Sequence, residues 1–376
     1  MVNKTNLKKR ILEALKESGF KINPHLRPPS KNKNTLRRIQ QTAKNEQISL
    51  HSKFLQENFD IALSYCRNGQ DIIPQQIDLE LREVKRGSFE ETIFRWWNFI
   101  WWSIPYQHAY GRQLRFLLWD KAHDSPFGLV YLQSPVLKMS VRDNALGIHG
   151  EKLHTWVNRS LHAQRVGALP PYNGIIGGKM VALALTANEI RNAYKKKYAN
   201  YISIIKKDTL KPDLLFITTT SAFGKSSIYN RLKYNGDLVA NCLGYTQGTG
   251  SFHIPTDLYE ELVEFIAQKD YNVARGYGHG PSRKLRLISV GLRELGIPSF
   301  ECHGIKREFY LFPLVKNLKN VIHRGKRPLR FNRTFDDLVS YWKDRWGLPR
   351  AERIPAWRDF TIEKFRGKSK RLLQGV

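Results

Sequence analysis

The excess of positive charge is the feature that most constrains this chain. Lysine and arginine number 62 against 33 aspartates and glutamates, which gives a formal net charge of +29 at pH 7. Charge of this size repels itself and opposes a compact fold. A polyanion relieves that repulsion, because each phosphate that Lys or Arg neutralises also releases condensed counterions. With 41% hydrophobic residues a globular core is still expected. The composition predicts a folded protein that binds nucleic acid, with DNA favoured over RNA.

The sequence lacks the long apolar runs of a membrane protein and the dense cysteines of a secreted one. Its most apolar stretch, residues 94–106, is short and contains Arg95, Asn98 and Pro105. A membrane span needs about 18 apolar residues in a row. The three cysteines lie far apart and have neither disulfide-framework nor zinc-site spacing. We therefore predict no membrane contact, no metal site and a cytoplasmic location.

Hydrophobic periodicity predicts a fold of the α+β (mixed α/β) class. Alternating apolar residues favour strands at 111–119 and 127–133, which would form a hairpin, and a second hairpin over 238–253. Apolar residues at helical spacing favour one long helix over 178–198. These patterns predict a curved sheet with flanking helices.

Composition divides the chain into three predicted regions. Residues 1–85 form a basic helical N-terminal region, in which 21–45, with three prolines and five Lys or Arg after them, is predicted to be a loop and basic arm. Residues 86–322 form the core domain. Residues 323–376 form a basic, Trp-containing C-terminal tail, in which Arg324 to Val376 carries 15 Lys and Arg against 6 acids.

A glycine-rich stretch is the strongest local signal for a bound anion. The sequence Tyr172-Asn-Gly-Ile-Ile-Gly-Gly-Lys179 follows a predicted strand and opens a predicted helix. Glycines at a helix N-terminus let backbone N–H groups approach an anion closely. The candidate cofactor-binding residues are Asn173, Gly174, Gly177, Gly178 and Lys179. The alternative is a glycine-rich turn that tight packing requires.

This stretch resembles the pyrophosphate loop of the GNAT-type acetyltransferases. The order of predicted elements around it also resembles that fold, so the resemblance implies a GNAT-like curved sheet and acetyl-CoA as a possible cofactor. In that family a tyrosine on the following short helix often protonates the leaving thiolate. The matching position is Tyr229, which becomes the candidate catalytic residue. A tyrosine that fills the core is the alternative.

Candidate nucleic-acid-binding residues fall in two places. Arg112, Arg115 and Arg142 flank the first hairpin near Trp119, and cations interleaved with aromatic rings suit phosphate contact and base stacking. Arg142 could instead pair with Asp143 to fix a turn. The basic tail supplies the second group, which consists of Arg324, Lys326, Arg327 and Arg330.

Several stretches together resemble the DruA family of the Druantia anti-phage defence systems. They are Trp96-Trp-Asn98, Gly111 to Trp119, Val141-Arg-Asp143, Arg165 to Leu169 and Tyr172 to Lys179. The resemblance implies a bacterial protein that resists phage together with other Druantia proteins, one of them large and helicase-like. It implies no particular catalytic residue, so whether the chain is an enzyme stays open. The alternatives are a GNAT-like acyltransferase and a DNA-processing protein of a mobile element.

Overall fold

The computed structural model describes residues 2–106, 109, 111–203, 207, 209, 211–274, 282–297 and 299–375. It confirms a mixed α/β fold with one seven-stranded sheet and helices on both faces. The strands of this sheet are β1 (Leu79–Glu83), β2 (Gln113–Asp120), β3 (Ser125–Gln133), β4 (Ser160–Ala168), β5 (Phe216–Thr220), β6 (Asn241–Tyr245) and β7 (Glu308–Pro313).

Sixteen α-helices are described. They are α1 (Lys4–Glu17), α2 (Lys33–Ile39), α3 (Gln41–Leu50), α4 (Ser52–Glu57), α5 (Phe59–Ser64), α6 (Phe89–Ile100), α7 (Ser140–Leu146), α8 (Lys152–Val157), α9 (Gly177–Ala184), α10 (Asn188–Lys197), α11 (Thr256–Ala267), α12 (Arg283–Glu294), α13 (Leu318–Arg324), α14 (Phe335–Trp342), α15 (Leu348–Arg353) and α16 (Ile362–Gln374). No helix in the described ranges is long and apolar enough to cross a membrane.

The strand order across the sheet is β1-β2-β3-β4-β5-β7-β6. Neighbouring strands are antiparallel except β4 and β5, which run parallel. Their pairing extends only from Ser160 opposite Phe216 to Ala163 opposite Thr219. Beyond Ala163, β4 continues to Ala168 without a strand partner on that side, because β5 ends at Thr220. We call the unpaired side of β4, beyond the end of β5, the gap.

Hydrophobic cores cover both faces of the sheet. On one face, α9 and α14 pack against residues such as Phe127, Val130 and Phe312. On the other face, a tryptophan core contains Trp96, Trp97 and Trp119. The central strand β3 is buried along nearly its whole length, because both of its faces are covered. A strand in this position has a nearly continuous run of apolar residues.

The predicted basic arm is wrong, because its residues are folded. A short antiparallel pair, Lys21–Ile22 with Leu26–Arg27, follows α1, and α2 and α3 come next. Helix α1 buries Leu7, Ile11 and Leu15 in a third core with α11 and α12. This core forms because each of these helices has one apolar face that must be buried. Neither α1 nor the α11–α12 pair lies on the central sheet.

Two secondary-structure predictions are also corrected. The predicted hairpin over 238–253 does not form, since β6 pairs with β7 from a distant part of the chain. The predicted helix over 178–198 is two helices, α9 and α10. The second begins where Asn188 donates its backbone N–H to the carbonyl of Arg333 and accepts from the Arg333 N–H.

Both ends of the chain contribute to the sheet and its cores. Strand β1, from the predicted N-terminal region, is the edge strand beside β2. Phe335, Leu338 and Trp342, from the predicted tail, belong to the core that contains α9. The Phe365 ring of α16 stacks on Trp97 with centroids 5.2 Å apart. The central sheet is therefore packed against residues from all three predicted regions.

The buried pair of Arg142 and Asp143 gives the first prediction. Asp143 accepts from Arg142 Nε and from the Met139 N–H, each at 2.7 Å. Replacing Asp143 with Asn leaves the Arg142 charge buried and unpaired, so we expect Asp143→Asn to lower the free energy of unfolding by roughly 3–5 kcal/mol. Urea denaturation measures it. The control Glu57→Gln breaks an exposed pair with Lys53 and should change stability by less than about 1 kcal/mol.

Candidate functional site

The glycine-rich stretch forms a tight turn into α9. Residues Tyr172–Ile175 make one 3-10 turn, Ile176 adopts a left-handed φ of 60°, and α9 begins at Gly177. A Cβ on Gly177 would lie 2.7 Å from the carbonyl oxygen of Tyr172, and one on Gly174 would lie 2.5 Å from Trp357 Cβ. The glycines therefore allow close contact between the turn and the protein's own side chains.

A C-terminal segment, residues 335–374, covers this turn. The indole Nε1 of Trp342 donates to the carbonyl of Ile176 at 3.2 Å. Arg350 Nε approaches the carbonyl of Gly174 at 3.5 Å, and Lys179 Nζ lies 5.2 Å from the Trp346 ring. Three side chains from the predicted tail thus contact the stretch in which the sequence predicts an anion site.

A cleft of about 470 Å³ opens where the turn meets the C-terminal segment. Asn173 and Gly174 line one wall. Most of the other lining groups are aromatic rings and charged side chains. They include Trp101, Trp357, Phe360, Phe365, Arg350, Lys364, Lys368 and Asp359. Three cations against one carboxylate, with aromatic walls, suit an anionic ligand that carries a ring.

Tyr229 lies in the core. It is 5% exposed and packs against the rings of Tyr310 and Phe312, with centroids 5.1 and 5.8 Å away. Burial raises the pKa of Tyr229 to about 12, although a hydrogen bond with Thr219 acts in the opposite direction. The hydroxyl is therefore protonated at neutral pH, and its ring fills the space between the sheet and the turn that carries it.

Lys179 connects the glycine-rich stretch with the turn that carries Tyr229. Its Nζ donates to the carbonyls of Ile228 and Asn230, at 3.4 and 3.3 Å, on either side of Tyr229. A Cβ on Gly178 would lie 3.2 Å from Ile228 Cδ1. The structure thus brings Gly178, Lys179 and the Tyr229 turn together, while Asn173 and Gly174 face the cleft.

The three predicted cations near the first hairpin bind groups inside the protein. Arg112 is 2% exposed and donates to Tyr194 Oη and the Asn158 carbonyl. Arg142 is 1% exposed and, besides Asp143, donates to two backbone carbonyls. Arg115 is half-buried and pairs with Glu91 at 2.8 Å. None of these guanidinium groups projects freely into solvent.

The cations near the start of the predicted tail are on the surface. Arg324, Lys326 and Arg327 are exposed, and none of them forms an ion pair within the described part of the chain. They belong to a basic segment, residues 316–330, which contains six Lys and Arg and no acid. Arg330 in this segment pairs with Asp213 at 2.7 Å.

The basic segment has a defined shape. Helix α13 ends at Arg324, and the next residue, Gly325, turns the chain with a φ of 62°. The side chain of Asn317 then donates to the carbonyl of Arg327 and accepts from the Leu329 N–H, each at 2.9 Å. The loop is thereby held against the start of its own segment, with its cations directed outward.

Comparison with known proteins agrees with the resemblance in the sequence. A family model described as Druantia protein DruA matches residues 30–324. This chain belongs to the DruA family. The Druantia protein DruA of Escherichia coli (strain UMEA 4076-1) is 32% identical over 364 residues, which cover 95% of this chain and 90% of that protein. No solved structure matches the chain.

The residues matched by the family model include some of the candidate site residues and exclude others. The family model includes the glycine-rich stretch and Tyr229 and ends at Arg324, inside the basic segment. The alignment with the Escherichia coli DruA extends over nearly the whole chain. Within the described residues no group of three His, Cys, Asp or Glu side chains could hold a metal ion.

Sequence reasoning missed the side chains that complete the cleft. Arg350, Lys364 and Lys368 lie some 180 residues after Asn173 and Gly174 in the chain. The run of tryptophans in a basic tail was the available signal, since large aromatic residues at Trp342 and Trp357 need a surface to pack against. Nothing in the sequence indicated that this surface was the glycine-rich turn.

The ion pairs of Asp213 predict that the stability of the fold depends on pH. Burial acts to raise the pKa of Asp213, but hydrogen bonds from Arg330 and Arg159 hold it below the ordinary 3.8. The stability that this carboxylate supplies is therefore present above pH 3.8 and is lost as the pH falls through its lower, folded-state pKa. We expect Asp213→Asn to be less stable at pH 7 and to show a flatter loss of stability below about pH 4.

Thermal denaturation across pH 2.5–7 measures this effect. The control is Asp257→Asn, which removes an exposed carboxylate 3.9 Å from Arg10 and should follow the wild-type profile. An Asp213→Asn profile parallel to that of the wild type would show that these ion pairs do not contribute to acid stability.

Proposed function

We propose that this DruA-family chain is the nucleic-acid-binding component of a Druantia-type anti-phage defence system. It would act in the bacterial cytoplasm together with other Druantia proteins, with DNA as its ligand. The observation that carries the proposal is the basic segment, where exposed cations without acidic partners are held in a defined loop. The net charge of +29 supports it, because phosphates would relieve the repulsion.

The proposal assigns phosphate contact to Arg324, Lys326 and Arg327, with Arg330 at the edge of the same surface. If Arg330 turned toward a phosphate, Asp213 would still be paired, because Arg159 also binds that carboxylate. In this proposal Arg112, Arg115 and Arg142 do not contact phosphate and have a structural role. They would stabilise the fold behind the surface, as their internal partners suggest.

Salt dependence of DNA binding tests the proposal. We expect the triple variant Arg324→Ala, Lys326→Ala, Arg327→Ala to bind duplex DNA more weakly. Its slope of log K against log salt should be shallower by about 2 to 3, because each lost phosphate contact removes about 0.9. Fluorescence anisotropy with a labelled duplex at several salt concentrations measures both quantities.

The matched control removes the same charge elsewhere. Lys4, Lys16 and Lys21 are exposed and lie on the N-terminal part of the chain. Their triple Ala variant should retain the wild-type slope and phage protection, whereas the basic-segment variant should lose protection in cells that carry the complete system. Equal slopes for the two triple variants would refute the assignment to the basic segment.

Acyl transfer is a second candidate function, which two observations favour. The seven-stranded mixed sheet with helices on both faces is compatible with the curved sheet that the GNAT resemblance implies. The glycine-rich stretch follows β4 and opens α9, as that fold requires for a pyrophosphate loop. In this reading the cleft beside Asn173 and Gly174 receives the anionic cofactor.

Calorimetric titration with acetyl-CoA separates the two candidates. The acyltransferase hypothesis expects binding by the wild type and its loss in Gly178→Asp, because the new side chain would place negative charge at the start of α9 and crowd Ile228. Gly367→Asp is the control, since a Cβ there meets nothing within 4 Å. A folded, DNA-binding wild type that gives no heat with acetyl-CoA would contradict this hypothesis and leave the first intact.

A further inference from the structure

The gap between β4 and β5 carries positive charge that the proposed DNA surface does not use. Pairing positions place His162 and Arg165 of β4 on the same sheet face as Tyr131 and Gln133. Thr218 and Thr220 of β5 face the same way, as do Phe309 of β7 and Arg307, two residues before it. Two arginines thus lie on opposite sides of the gap and on one face.

Arg165 is held by neutral groups alone. It is 2% exposed, and its Nε donates to Asn98 Oδ1 at 2.8 Å. Its terminal nitrogens donate to the backbone carbonyls of Ile104 and Gln164, at 3.2 and 3.4 Å. Burial lowers the pKa of Arg165 to about 10, and the charge of Arg307 acts in the same direction. The guanidinium is still charged at pH 7.

Arg307 has fewer partners still. Its backbone is fixed, because its N–H donates to Thr246 Oγ1 and its carbonyl accepts from the Thr246 N–H. Its Nε is buried with no hydrogen-bond partner. The neighbouring Glu308 points to the opposite face of β7, where it accepts from the Ser226 N–H. Within the described residues no carboxylate pairs with Arg307 or with Arg165.

Two neighbouring groups of the described part of the chain, His162 and the Trp102 ring, are neutral. His162 bonds with Thr218 Oγ1 at 3.0 Å and stacks near the Phe309 ring. Burial, with the charges of Arg142 and Arg307, lowers the pKa of His162 to about 4, so the imidazole is neutral at pH 7. The Trp102 ring covers Gly167 at the far end of β4. Unpaired charges in such an environment are strongly disfavoured unless an anion joins them.

We propose that Arg165 and Arg307 form a binding site for a phosphate group in the gap between β4 and β5. Guanidinium groups suit this ligand, because their planar N–H donors match phosphate oxygens. Arg165 would supply a fixed donor, since Asn98 and Ile104 orient it. Arg307 would supply the donors that lack partners in the free protein. His162 would add a neutral N–H, and the aromatic rings of Trp102 and Phe309 border the site.

Arg307→Met tests the proposal because it separates a ligand site from a structural role. Removing an uncompensated charge should raise the melting temperature of the ligand-free protein by about 2–4 °C. The same variant should lose the stabilisation that inorganic phosphate gives the wild type, measured against chloride at equal ionic strength. Arg86→Met, at an exposed arginine, should leave both measurements unchanged.

Each outcome decides the proposal. Equal phosphate responses in the wild type and Arg307→Met would overturn it, and so would a wild type without any response at 20 mM phosphate. If Arg307→Met does not fold, Arg307→Gln replaces it, and the loss of the phosphate response remains the criterion. The triple Ala variant of the basic segment should keep the response, which distinguishes failure of this site from failure of the DNA surface.

The source of the phosphate group is resolved with two further probes. A nucleoside monophosphate and a short single strand with a 5′ phosphate present the same chemical group. A wild-type response that is larger for the phosphorylated strand than for its 5′-hydroxyl form, and absent in Arg307→Met, assigns the group to a strand end. A response to the nucleotide alone, again lost in the variant, assigns it to a free nucleotide.

Discussion

The parallel pairing of β4 with β5 holds the two halves of the sheet together. One half, β1 to β4, is built from antiparallel neighbours close in sequence, and the other half contains β5, β7 and β6. Only four residue pairs join them, after which β4 continues without a strand partner on that side. Side chains must therefore hold this junction on both faces. On one face the core around α9 does so, because it joins residues of both halves such as Val130 and Phe312. On the other face the hydrogen bond between His162 and Thr218 spans the junction.

The C-terminal segment completes the same junction from one side. Trp342 hydrogen-bonds the glycine-rich turn, and Trp357 packs against Gly174. The start of α9 is thereby enclosed by protein rather than left open to solvent. A ligand in the cleft would contact the turn and the C-terminal segment at once, so binding there would stabilise the docking of α16 on the sheet.

Sequence reasoning was most successful where structure is local. The alternation that predicted β2 and β3 is confirmed, and the glycine-rich stretch opens a helix as expected. It failed where distant segments decide the outcome, as for β6, whose partner β7 lies more than 60 residues away. The sequence indicated phosphate contact for Arg112, beside aromatic residues, and for Arg327, in the basic tail, yet only the fold determines that one is buried and the other exposed.

The packing of α1 has a consequence for how the chain folds during synthesis. Its apolar face, with Leu7, Ile11 and Leu15, is covered by α11 and α12, which leave the ribosome more than 240 residues later. Until then this face lacks the two helices that cover it in the folded protein, and it is prone to aggregation or to chaperone binding. Helix α1 can therefore reach its final place only after α11 and α12 are synthesised, and it then docks on the insertion between β6 and β7.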